Sequence, residues 1–502
     1  MRSNSGRTGA HDRQARGSGA AVLDFRPIAL VNGILLATLA TAMMLPALVD
    51  LALGNPDWIV FATAAGATLF VGLAMTMSTR GSAGNMNVRE AFVMTTLAWV
   101  LLAVFASLPF VWSELSLSFT DAYFESMSGL TTTGATVITG LDHAPPGILL
   151  WRGLLQWLGG LGIIVMAIAV LPMLQIGGMQ LFKIEAFDTS EKILPRATQI
   201  SGSLTGLYIL FTLICAIAYH LAGMRVLDAI IHAMTTIATG GFSSHDASMG
   251  YFESTPIEVI GIVFMIIGSL PFLLYIKAAQ GHRGALYRDS QVRLFLAFVL
   301  IFSLLAMLAQ KQSGHGVDHG FREAIFNVVS IMTGTGYSTV DYDLWGPFAV
   351  ALFFCLTFVG GCAGSTSCGI KVFRFAVLYA NISQHLKRVL HPHGIFVNMY
   401  NGRKLPDHVS GAVMCFFFLY FLSVGVVAII LTYAGLDVMG ALSASATAIS
   451  NVGPGLGPVI GPAGNFSTLS DFAKWTLSGA MLLGRLELFT VLVLLLPSFW
   501  RH

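Results

Sequence analysis

Apolar residues in this chain gather into ten stretches separated by short polar segments, at about residues 28–49, 58–77, 91–112, 148–171, 201–221, 257–276, 292–309, 347–370, 409–432 and 475–497. Crossing a bilayer core takes about 20 apolar residues in a helix, and each stretch approaches that length. The pattern therefore predicts ten transmembrane helices. Between the third and fourth stretches, the fifth and sixth, the seventh and eighth, and the ninth and tenth lies a further helix-compatible segment of about 12 residues, too short to cross. Segments of that kind predict re-entrant half-helices, because non-helical backbone at membrane depth persists only where it is buried in protein or lines water.

Composition reinforces this reading. Of 502 residues, 55% are apolar and 10% are charged, and the mean hydropathy is +0.76, whereas soluble domains carry roughly a quarter charged residues. No stretch of ordinary composition is long enough to form a separate soluble catalytic domain, so any soluble regulatory module is expected from another chain. The histidines His143, His220, His232, His391 and His393 show no metal-ligand spacing with carboxylates, which argues against a membrane enzyme. Cys215, Cys355, Cys362, Cys368 and Cys415 all lie in apolar segments and are expected as buried thiols. Residues 1–27, rich in Gly, Ser and Arg, read as a disordered cytoplasmic tail rather than a signal peptide.

Charge sets the orientation. With a cytoplasmic N-terminus, ten crossings leave the C-terminus cytoplasmic too, and most of the 27 Lys and Arg residues fall on that side. Only Arg152, Arg225, Lys311, Arg322 and Lys474 fall outside, and Arg485 is left within a span. The outer segments instead carry acids, among them Asp50, Asp57, Glu125, Asp142, Asp228, Asp246, Glu258 and Asp343, which predicts an acidic vestibule that concentrates cations.

Each short segment ends in a glycine-bearing turn: Thr131 to Thr136 (TTTGAT), Ala238 to Ser243 (ATGGFS), Thr333 to Thr339 (TGTGYST) and Asn451 to Gly457 (NVGPGLG). Aligned on Gly134, Gly240, Gly336 and Gly453, the turns recur at intervals of 106, 96 and 117 residues. A unit of span, half-helix, turn and span repeated four times can close around one axis and supply rings of carbonyl oxygens that replace a cation's hydration shell. Glycine permits the positive φ angles that such turns require. The half-helices point their partly negative C-terminal ends at the axis. The expected units are 91–200, 201–290, 291–408 and 409–502, preceded by two extra helices in 28–90.

These four turns, together with Trp157 to Gly162 (WLGGLG) and Gly360 to Lys371 (GGCAGSTSCGIK), resemble the Trk/Ktr/HKT superfamily of K⁺ transporters, specifically its TrkH/TrkG subgroup. The resemblance runs from about residue 28 to the C-terminus, and the two extra helices fit that subgroup. It implies K⁺ uptake across a bacterial inner membrane through an all-α, four-repeat pore, with no organic cofactor in this chain. It also implies a homodimer embedded in lipid, gated by cytosolic TrkA-like RCK subunits that bind NAD(H) or ATP/ADP. Nucleic acid is not an expected partner. Carried over by residue, the filter is Thr132, Thr133 and Gly134; Ala238, Thr239 and Gly240; Gly334, Thr335 and Gly336; and Asn451, Val452 and Gly453. Gly134, where the Na⁺-preferring plant branch has serine, points to K⁺.

Two features mark candidate gates. The eighth stretch is interrupted by Gly360, Gly361, Gly364, Ser365, Thr366 and Gly369, which predicts a loop within the membrane, the alternative being a small-residue helix-packing seam; by resemblance the loop blocks the closed pore. Its Gly364 to Lys371 run misses the phosphate-loop pattern by one residue and follows no strand, so nucleotide binding is not expected there. Arg485 stands mid-span, where burial is costly, and is read as a cationic barrier below the filter. The alternative is a pair with a neighbouring helix's carboxylate, Glu487 being too close in sequence to share its face. A K⁺ or Na⁺ symporter coupled to H⁺ or Na⁺ remains the rival function. The Lys183 to Arg196 loop and the Lys371 to Lys404 segment are the expected docking surface.

Overall fold

The computed structural model describes residues 23–79, 86–169, 193–282, 284–314, 320–401 and 403–501. The first 22 residues of the tail, and residues 170–192 with most of the Lys183 to Arg196 loop, lie outside the described residues. Among the described residues the fold is all-α apart from a hairpin of two-residue strands pairing Met399–Tyr400 with Arg403–Lys404.

Helices α1 (Phe25–Leu53) and α2 (Trp58–Ser78) form an antiparallel pair ahead of the repeats. Glycines let them approach: a Cβ on Gly33 would lie 2.7 Å from the Gly72 carbonyl oxygen, and one on Gly72 would lie 2.8 Å from that of Gly33. Four span, half-helix, span units follow. Their half-helices are α4 (Phe119–Leu130), α7 (Val226–Ile237), α11 (Gly320–Thr333) and α15 (Val438–Ser450). The preceding spans are α3 (Val88–Ala106), α6 (Ile193–Leu221), α10 (Ser290–Gln312) and α14 (Asp407–Tyr433). The returning helices are α5 (Pro146–Ala169), α8 (Thr255–Ser269), α12 (Pro347–Leu356) and α16 (Asp471–Arg485). The half-helices are largely buried at the centre, and the first and fourth begin with side-chain caps, Ser118 Oγ accepting from Asp121 N and Asp437 accepting from Gly440 N.

Among the described residues seven helices are long and apolar enough to cross a membrane, or nine when each bent pair counts as one span. The expected count of ten is therefore not reached by unbroken helices. The sixth stretch breaks at Pro271, which cannot donate a backbone hydrogen bond, and turns through 91° into α9 (Phe272–Ala279). The eighth is a ten-residue helix, α12, running into irregular chain before α13 (Val372–Leu390). The tenth bends by 109° between α16 and α17 (Phe489–Leu492), where Glu487 and Leu488 adopt left-handed φ of 60° and 49°. Arg485 is thus the last residue of α16 rather than a mid-helix residue.

Two further expectations are corrected in part; of the outer acids, Asp142 and Asp246 are exposed as expected. Cys215, Cys362 and Cys368 are buried thiols, but Cys355 and Cys415 are exposed on helix surfaces, because an apolar segment in lipid has an outward face. Asp50, Asp57, Glu125, Asp228 and Glu258 are buried at 9% exposure or less, so they do not contribute to a solvated acidic vestibule. Several instead brace the structure, as Asp50 does by accepting from Gly147 N at 2.7 Å.

Candidate functional site: a ring of four turns and the loop beneath it

The backbone defines how the four turns correspond. In each, one amide reaches back five residues: Thr133 N to Ser128 O, Gly240 N to Thr235 O, Thr335 N to Ser330 O and Val452 N to Thr447 O, all between 2.8 and 3.0 Å. Positive φ alternates around that amide, at Thr132 and Gly134, Thr239 and Gly241, Gly334 and Gly336, and Asn451 and Gly453. Gly241, not Gly240, is therefore the equivalent of Gly134. This moves the second turn from Ala238, Thr239 and Gly240 to Thr239, Gly240 and Gly241. Ala238 instead ends its half-helix with φ −71°.

The glycines at the equivalent positions close a cycle. A Cβ on Gly134 would lie 2.3 Å from the Gly240 carbonyl oxygen, on Gly241 1.8 Å from that of Thr335, on Gly336 2.0 Å from that of Val452, and on Gly453 2.6 Å from that of Thr133. Each repeat thus sets a carbonyl oxygen into the space left by the missing side chain of the previous repeat, and the fourth returns to the first. Positive φ and close approach both demand glycine here. Asn451, left-handed in the fourth turn, donates from Nδ2 to Thr133 Oγ1 and to the Met481 carbonyl, both at 2.9 Å, pinning the fourth repeat to the first. A cavity of about 230 Å³ opens on the side from which the half-helices enter, lined by all four equivalent glycines together with His245 and Asp246.

Side chains behind the turns hold them. Glu125 is fully buried and accepts from Arg152 Nε at 2.8 Å, Thr136 Oγ1 at 3.0 Å and Val137 N at 2.9 Å. Arg152 also donates to Ser243 O at 2.6 Å and lies 4.1 Å over the Phe242 ring, joining the first two repeats. Removing one partner of a buried pair strands the other charge, at a cost of about 3–5 kcal/mol. Glu125→Ala should therefore lower stability by that order, read as a large fall in the thermal midpoint of the detergent-solubilised protein, with Glu125→Gln losing less. Tyr337 ties the third turn to the second half-helix through Thr235 Oγ1 at 2.5 Å and Thr236 Oγ1 at 3.2 Å.

On the entry side, His245 bonds Asp142 at 2.5 Å and stacks on Tyr251. Burial pushes its pKa down, but the bonds and charges of Asp228 and Asp142 outweigh this and hold it above the ordinary value. Asp343 accepts from Gly457 N at 2.7 Å, linking the third and fourth loops; burial pushes its pKa up to about 6 against that bond.

The interrupted stretch forms a compact loop on the far side of the ring. Its base closes through a single parallel bridge between Val359 and Ile370, with Gly360 N donating to Ile370 O at 3.0 Å. A Cβ on Gly360 would lie 2.0 Å from Cys368 O, so only glycine fits. Gly361 N donates to Ser367 Oγ, Ser365 Oγ donates to Cys362 O, and Gly364 O accepts from Phe272 N at the bend before α9. Four consecutive residues then meet the four half-helix ends. Thr366 Oγ1 accepts from Thr239 Oγ1 at 3.3 Å, Ser367 Oγ donates to Thr333 O at 2.6 Å, Cys368 Sγ lies 3.4 Å from Thr132 Oγ1, and Gly369 N donates to Ser450 O at 2.9 Å.

Arg485 fastens the loop from the side. Its Nη1 lies 2.7 Å from Cys368 Sγ and its Nη2 donates to Gly159 O at 3.0 Å. Among the described residues it pairs with no carboxylate: Glu487, beyond the helix end, instead bonds Arg374 at 2.5 Å. The space enclosed by Arg485, Cys368, Gly369 and Asn451 is about 30 Å³. The sequence pattern assigned no role to Gln156 or Ser450, placed Thr333 only at the start of the third turn, and marked Cys368 only as a buried thiol within the loop. A polar pair at i and i+4, Arg152 and Gln156, within an apolar helix was the available signal for Gln156.

The family described as TrkH, cation transport protein, matches residues 59–501. The chain is 46% identical to the Trk system potassium uptake protein TrkI of Halomonas elongata, over 95% of this chain and 97% of that protein. It is 39% identical to the Trk system potassium uptake protein TrkH of Escherichia coli, over 96% and 100%. The crystal structure of the potassium transporter TrkH from Vibrio parahaemolyticus superposes with a TM-score of 0.89 at 40% identity, covering 95% of this chain and 100% of that one.

Proposed function

We propose that this chain, which belongs to the TrkH family of cation transport proteins, carries K⁺ across a bacterial inner membrane through a selectivity filter formed by its four central turns. The cycle of glycines against neighbouring carbonyl oxygens supports this reading: four carbonyl oxygens, one from each repeat, lie in a closed ring beside the C-terminal ends of four half-helices, which favour a cation. The names of the relatives support K⁺ as the cargo.

The loop at 366–369 is the closed gate, since an ion leaving the ring meets residues tied to all four half-helices. Arg485 is the cationic barrier that holds it. Opening must break those contacts together, which calls for work from partners: a second copy in a homodimer, and cytosolic RCK subunits that bind NAD(H) or ATP/ADP. The termini are cytoplasmic, and the partners dock on α13 and the 399–404 hairpin, where Tyr379, Leu386 and Leu390 are exposed.

The test is cation flux in proteoliposomes holding the purified chain with its soluble subunits. K⁺ flux should exceed Na⁺ flux, with a reversal potential indifferent to an imposed pH or Na⁺ gradient. A reversal potential that follows either gradient would identify a coupled symporter instead.

A further inference from the structure

The four ring carbonyls are not equivalent. Gly240 O accepts from Gln156 Nε2 at 2.6 Å, whereas among the described residues no hydrogen-bond donor meets Thr133 O, Thr335 O or Val452 O. Gln156 is completely buried on α5, one turn beyond Arg152. Its orientation is determined by a second contact: Oε1 accepts from Phe242 N at 3.0 Å, so the amide's other end must be the donor to Gly240. Arg152 fixes the same segment through Ser243 O and the Phe242 ring. A helix of the first repeat therefore sets the second repeat's ring carbonyl, and does so with a neutral donor rather than a charge.

We infer that Gln156 is a specificity-determining positioning residue, which lowers the field of one ring carbonyl and prevents it from closing inward, and so favours K⁺ over the smaller Na⁺. This rests on the reading of the ring as a filter. A carbonyl oxygen that accepts a short hydrogen bond has one of its two lone pairs occupied, and the donor's partly positive hydrogen opposes the field it presents to a cation. A carbonyl tethered from behind is also less able to follow a smaller ion. The charge density and size arguments, whichever governs discrimination by carbonyl rings, give the same sign.

The experiment compares K⁺ and Na⁺ flux in proteoliposomes for Gln156→Leu and Gln156→Glu. Gln156→Leu removes the donor, and the K⁺/Na⁺ ratio should fall by about three- to tenfold, the range that one neutral hydrogen bond can shift an equilibrium. Gln156→Glu keeps an acceptor for Phe242 N but can donate to Gly240 O only when protonated, so its ratio should recover toward wild type as pH is lowered. A variant that folds without conducting is read by the difference between K⁺ and Na⁺ in raising its thermal midpoint, which should shrink. A purely structural brace would lower both fluxes together, and an unchanged ratio in both variants overturns the inference, as does failure of both to fold. Gly241→Ala, with Gln156 intact, separates the two readings. If it leaves flux and selectivity at wild-type values the filter itself is misplaced, whereas loss of selectivity there with unchanged ratios in the Gln156 variants would sink only the role of Gln156.

Discussion

Gly241→Ala should abolish selective K⁺ flux, reducing it at least about tenfold, while the protein still inserts and purifies. A left-handed residue with a Cβ costs roughly 1–2 kcal/mol in backbone strain. At Gly241 the added carbon would also stand 1.8 Å from the Thr335 carbonyl oxygen, which is backbone and cannot rotate aside. The second and third repeats must therefore separate, and with them the ring. Gly240→Ala is the informative comparison, because its Cβ would meet the end of the Gln156 side chain at 2.5 Å and its φ is not positive. It should retain more flux than Gly241→Ala. Gly411→Ala on α14, where nothing lies within 4 Å, should behave as wild type. Equal loss at 240 and 241 would show that the register derived from the backbone is not the one that matters for transport.

Arg485→Ala should produce the second large effect, a rise of about an order of magnitude in K⁺ leak through the chain reconstituted without its soluble subunits. The substitution removes both the contact to Cys368 and the bond to Gly159 O, and with them a buried positive charge placed against the loop. Coulomb repulsion at such a site is weakly screened, so the charge is a barrier as well as a strut. Arg485→Lys keeps the charge but lacks the planar fork that spans two acceptors, and should leak to an intermediate degree. Unchanged leak and unchanged flux in both variants would remove Arg485 from the gate.

Much of the architecture was legible from the chain alone. Runs of apolar residues long enough to cross a bilayer follow from the cost of exposing polar backbone to lipid, and segments half that length can only re-enter. The glycines of the four turns were visible for a related reason, since each marks a backbone conformation or a close approach that a side chain forbids. Even the interruption after Leu356 could be seen, because small and hydroxyl residues replace the apolar ones that lipid requires.

What the pattern could not decide was the register of the second turn, where Gly240 and Gly241 are adjacent and the sequence resembles the first turn best at Gly240. The choice between them depends on which amide reaches back to Thr235 and which glycine faces Thr335, both properties of the assembled ring. The bends near Pro271 and Glu487 escaped for the same reason, since each lies within a stretch apolar enough to read as one span. Local composition thus determined which segments enter the membrane and where their backbone must turn. Contacts between residues far apart in the chain decided the rest: Glu125 with Arg152 within the first repeat, Gln156 with Gly240 and Asn451 with Thr133 between repeats, and residues 366–369 with all four half-helices. A side chain buried at an interface between repeats has the same local sequence signature whether it meets lipid, a carboxylate or a carbonyl oxygen, and only the tertiary structure supplies the partner.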